Sequence, residues 1–181
     1  MFQYLKYMIQ LILSPTHGWE DIEEESPDAR TLLMKGLVPL TAVCALTEYL
    51  RMMWERGIGF GRATVHAILD LGVYFISAFV ARLIFEMYLG RFSNKPDSSR
   101  AHILSIVTIG LMVLIQILDN ILPWDLVILR FLPLFVVMIV YKSCSYMRID
   151  EEDDLKYLLM ASIATIAVPL VIYYIFFLLI P

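Results

Sequence analysis

His66 and Asp70 stand four residues apart inside an apolar stretch, a spacing that puts both side chains on one face of a helix. Neighbouring apolar stretches are interrupted by Glu48, by Gln116 and Asp119, and by Arg130. A charged side chain at membrane depth costs at least ~2.5 kcal/mol, so each of these residues needs a partner or a task. Three kinds of chemistry are open to them. Arg130 can neutralise Asp119 or Asp70, so that the set only fixes helix packing. The set can line an outward-open polar cavity for a small polar or ionic solute. Finally, His66 and Asp70 can ligate a metal with Glu48 or Asp119, although one His and scattered acids fall short of a dedicated metal motif.

The elements that must position these side chains are long apolar helices. Five segments, Thr31 to Trp54, Thr64 to Leu89, Ala101 to Leu122, Leu126 to Met147 and Leu155 to Leu179, each reach the ~20 residues needed to cross hydrocarbon. Backbone groups find no water there, so the spans must be helical. The 181 residues are 60% hydrophobic and 18% charged, which excludes an ordinary soluble domain and leaves only short loops. The expected fold is all-α: one membrane domain, with residues 1–30 as a cytoplasmic interfacial segment and 31–181 as a five-span bundle.

Loop charge orients the bundle. Nine Lys and Arg residues fall on the side of the amino terminus and only Arg51, Arg56 and Arg62 on the other. That asymmetry places the amino terminus in the cytoplasm and the carboxyl terminus outside. Because successive spans alternate in direction, Glu48, His66, Asp70, Gln116, Asp119 and Arg130 all come to one depth, in the outer half. Arg82 and Glu86, again four apart, belong near the cytoplasmic end as an internal ion pair. The Asp150 to Asp154 run is expected to be a solvated loop, and Tyr141, Tyr146, Trp54 and Trp124 to be interfacial anchors.

At the amino terminus, Phe2, Leu5, Met8, Ile9, Ile12 and Leu13 share a helical face, which suits a helix in the headgroup plane or one packed on the bundle. Ser14-Pro15 and Ser26-Pro27 both read as helix starts, the second opening the first span. Prolines 39, 133 and 169 interrupt spans one, four and five. Cys44 and Cys144 are expected to be embedded thiols, not a disulfide framework. No Ser-His-Asp, Cys-x-x-Cys or Walker-type constellation occurs, so no catalytic residue and no cofactor is expected. The acids are clustered and the bases dispersed, which gives no hint of nucleic acid.

The entry Ser14-Pro15, then Trp19 and Ile22, followed by five spans, resembles bacterial members of the Yip1 domain family. The resemblance implies a fold and an inner-membrane setting without established chemistry. Eukaryotic members bind small GTPases through long cytoplasmic extensions, which this chain lacks. The expected role is a non-enzymatic interaction or membrane-organising component, in contact with lipid and with a protein partner or a second copy. The alternatives are a small transporter or channel-like protein using the outer polar layer, and a membrane-embedded metal-dependent hydrolase.

Overall fold

The computed structural model describes residues 1–55, 57–92, 97–122, 129 and 131–179, and these contain helices and no strand. Two short helices, α1 (Phe2–Leu13) and α2 (Pro15–Glu25), meet at Ser14 and pack as an antiparallel pair. The next helix runs Ala29–Arg51 and is made of α3 (Ala29–Leu32), a π turn at Leu33–Leu37 and α4 (Val38–Arg51). Then come α5 (Phe60–Phe92), α6 (Ser98–Ile121), α7 (Leu132–Tyr141) and α8 (Cys144–Met147). The last long helix covers Glu151–Leu179, through a 3-10 turn, α9 (Asp154–Ser162), a second π turn at Ile163–Ala167 and α10 (Val168–Leu179).

Four of these helices are long and apolar enough to cross a membrane: Ala29–Arg51, Phe60–Phe92, Ser98–Ile121 and Glu151–Leu179. They coincide within a few residues with four of the five expected spans. In place of the fifth, expected over Leu126 to Met147, the described residues show α7, whose ten residues reach roughly 15 Å. Pro133 sits in its first turn, and a turn at Lys142 and Ser143 separates it from α8.

Helices α4, α5 and α6 pack on one another, and α10 leans mainly on α5. Helix α6 is the centre: 67% of its most apolar stretch is buried, against 17% for that of the last helix. The exposed face of that last helix includes Leu170, Val171, Tyr174, Phe177 and Leu178. An apolar surface of this kind is stable against lipid tails and not against water.

The two π turns sit at matching places, each ending just before a Val-Pro-Leu at 38–40 and 168–170. Proline has no N–H and its ring crowds the carbonyl one turn back, so a widened turn relieves the clash and leaves a bend.

Two local expectations change. Ser26 ends α2 instead of opening the next helix: it adopts the left-handed conformation, with φ 41°, and its hydroxyl donates to Glu23 O at 2.7 Å. Asp28 is the true N-cap, accepting from the Thr31 backbone N at 2.8 Å and from the Thr31 hydroxyl at 2.9 Å. The buried face of α1 is Tyr4, Tyr7, Met8 and Leu11, whereas Phe2, Ile9, Ile12 and Leu13 are exposed. Only Met8 belongs to both sets. The helix is apolar on two sides, and the buried one is the side that carries its tyrosines.

Candidate functional site

At the end of the bundle where α4 and α6 finish and α5 begins, a cavity of about 460 Å³ opens between the helices. Glu48, His66, Asp70, Gln116 and Asp119 all line it. Five of the six residues expected to share one depth therefore converge on one space. Arg130, the expected cation of the layer, lies outside the described residues, as does Trp124. Helix α4 supplies Glu48 and Arg51, α5 supplies His66, Asp70 and Tyr74, α6 supplies Gln116 and Asp119, and α10 supplies Tyr173. Leu129, Pro133 and Pro169 complete the apolar wall.

Depth within the cavity is graded. Asp119 and Tyr173 are exposed at its rim, His66 and Gln116 are half-buried, and Glu48 and Asp70 are only 1% and 5% exposed. Glu48 and Asp70 line the same space from neighbouring helices, and the two carboxyl groups interact. The Cys44 thiol also donates to Asp70 Oδ2 at 3.7 Å. Arg51 reaches Glu48 at 3.5 Å but grips the exposed Glu55 more closely, through Nη2 at 2.7 Å and Nε at 3.0 Å.

A hydrogen-bonded chain runs from the cavity wall at Gln116 across to α4. Gln116 donates to Asn120 Oδ1 at 3.0 Å, Asn120 donates to Thr47 Oγ1 at 3.1 Å, and Thr47 donates to the Cys44 carbonyl at 2.6 Å. Bonds between helices in a membrane fix their register, because the alternative is an unmet polar group in hydrocarbon. Sequence reasoning missed Arg51, Tyr74, Asn120 and Tyr173. The signal was present for three of them: Arg51, Tyr74 and Asn120 follow Glu48, Asp70 and Gln116 by three or four residues, the spacing that continues a face.

The opposite end is built by the α1–α2 pair. Tyr4 donates to the Ile106 carbonyl at 2.7 Å, and Trp19 Nε1 donates to the Ile139 carbonyl at 2.9 Å. Trp19 also stacks on Tyr146, with centroids 5.2 Å apart, while Arg100 lies 5.0 Å from the centroid of the same Tyr146 ring and bonds Glu23 at 2.6 Å. Tyr146 is thus an internal packing residue, 3% exposed, and not the expected interfacial anchor. Burial, and then the neighbouring Glu25 carboxylate, push the Tyr7 hydroxyl up to about 12. Hydrogen bonds from Tyr7 and Gln3 hold Glu25 below its ordinary value.

Arg82 and Glu86 pair at 2.8 Å near this end, where the Ser98 hydroxyl also donates to Glu86 at 2.6 Å. They take no part in the cavity. Among the described residues no three His, Cys, Asp or Glu side chains form a set that could hold a metal, so His66 and Asp70 gain no third ligand there. Cys44 and Cys144 are both free and buried.

The comparisons return nothing: no protein-family model, no curated protein and no solved structure matches the chain. The reading of the site rests on its geometry.

Proposed function

We propose that this chain is a polytopic membrane protein that holds a small polar solute in the cavity between α4, α5, α6 and α10, as a transporter or channel-like protein would. One observation carries the reading: residues from four helices, among them two almost fully buried carboxyl groups, line one space of about 460 Å³. That volume lies in the ordinary range for small-molecule sites, and intramembrane ionisable groups mark solute pathways. In this reading the chain crosses a bacterial inner membrane five times, with the region from Leu126 to Met147 as the fourth crossing. The amino terminus is cytoplasmic, and the cavity opens outward.

Thiol labelling of membranes from each side tests it. In a Cys44→Ala, Cys144→Ala background, a membrane-impermeant cationic thiol reagent should modify Gln116→Cys from outside and leave the exposed apolar position Ile76→Cys unmodified. No reaction at Gln116→Cys from either side would overturn the reading.

A second reading, a Yip1-like interaction or membrane-organising component, is favoured by the entry motif. Trp19 and Ile22 are buried, and the pair they anchor leaves Phe2, Ile9 and Leu13 exposed on α1, as an interfacial helix requires. Loss of vesicle-surface contact by Phe2→Ser, Ile9→Ser, Leu13→Ser, read by quenching at these positions, is the expected signature. Unchanged quenching would count against it.

A further inference from the structure

We infer that the solute is a small organic cation, an amine or quaternary ammonium group seated between Glu48 and Asp70 against the Tyr74 and Tyr173 rings. The inference rests on the solute-binding reading above and gives it a substrate class.

The first ground is charge. Glu48, Asp70 and Asp119 face the space, against one described arginine, Arg51, whose closest bonds go to Glu55. Asp70 accepts from the Cys44 thiol and lies beside Glu48, and the positive charge that reaches it from Arg51 is shared with Glu48 and Glu55. Two carboxyl groups buried side by side repel when both are ionised, so positive charge brought between them is strongly favoured. An anion meets the same field with the opposite sign. A neutral solute does nothing to relieve that repulsion.

The second ground is shape and lining. A cavity of about 460 Å³ is far larger than a dehydrated metal ion, and the described residues offer no metal set. Tyrosine faces attract ammonium groups within about 6 Å of the ring centroid, more strongly when the site is desolvated. Tyr74 is buried and Tyr173 stands at the rim, so the two rings mark an inner and an outer position along the path.

Choline and its neutral isostere 3,3-dimethylbutan-1-ol differ only in nitrogen against carbon at the head, which isolates the charge. In titrations followed by the unfolding midpoint of the purified protein in nanodiscs, choline should bind at least tenfold tighter than the isostere. Asp70→Asn should weaken choline at least tenfold and leave the isostere unchanged. Should Asp70→Asn fail to fold, Tyr173→Leu at the exposed rim is the substitute, expected to weaken choline several-fold. Equal affinity for both probes overturns the inference, and so does full choline binding by the variants. If thiol reagents enter the cavity yet choline does not bind, the inference fails while the solute-binding reading stands. If the reagents do not enter, the reading itself has failed.

Discussion

Asn120 on α6 donates a hydrogen bond to the Thr47 hydroxyl on α4 at 3.1 Å, and this bond ties together two of the helices that line the cavity. Both side chains are buried. Removing Thr47 leaves the Asn120 amide N–H without its acceptor, and removing Asn120 leaves Thr47 only its own bond to the Cys44 carbonyl.

Asn120→Leu and Thr47→Val should each lower stability in detergent. Their double variant should lose less than the sum of the two. The expected coupling is about 0.6 kcal/mol, and no more than about 1.7, as for other bonds between membrane helices. A double-mutant cycle on unfolding midpoints measures it, and strict additivity would show that the bond does not set the register.

Trp19 holds the α1–α2 pair to the bundle by stacking and by its bond to Ile139. Truncating so large a buried side chain typically costs about 3–5 kcal/mol. Trp19→Ala should therefore release the pair, seen as fast amide exchange over Phe2–Glu25 with the spanning helices still protected. Uniform protection throughout would contradict the anchoring role.

Much of this architecture is legible in the sequence, for definite reasons. Apolar runs of some twenty residues fix the long helices, because hydrocarbon permits little else. Alternating direction then places Glu48, His66, Asp70, Gln116 and Asp119 at one end, although they lie far apart in the chain. What stays hidden depends on which face meets which neighbour. Tyr4 and Met8 are buried on α1 because the central α6 narrows to Gly110 beneath them, and Leu11 because Gly18 of α2 lies against it, and nothing local to α1 announces either. Ser26 before Pro27 carries the signature of a cap, yet Asp28 one residue beyond the proline makes the stronger acceptor. The π turns before Pro39 and Pro169 follow from backbone relief that side-chain periodicity does not encode.

Gly110 and Gly36 are where Tyr4 approaches a helix backbone, and a Cβ at either position would overlap the Tyr4 side chain. Gly110→Ala should destabilise by about 1–3 kcal/mol through overpacking and weaken the Tyr4 bond to Ile106. Gly90→Ala, where a Cβ meets nothing, is the control and should be neutral or slightly stabilising. Equal thermal midpoints for the two variants would refute the close approach.

The α1–α2 pair should also respond to pH at both extremes. Tyr7 holds its proton more tightly when folded, so its contribution is complete below its ordinary value of 10.0 and is lost as pH rises through about 12. Glu25 is depressed when folded, so its contribution is present above its ordinary 4.5 and fades as pH falls below it. Trp19 fluorescence should report loosening in both directions, with Tyr7→Phe abolishing only the alkaline limb. An alkaline limb that survives in Tyr7→Phe would assign it elsewhere.

An experimental density map of the protein in a nanodisc, at a resolution that shows ordered water, tests the central claim most directly. The account predicts water or solute density between Glu48, Asp70 and Gln116, continuous with the rim at Asp119 and Tyr173. A cavity filled by apolar side chains or a lipid tail, with the Glu48 and Asp70 carboxyl groups turned away from it, would contradict the account.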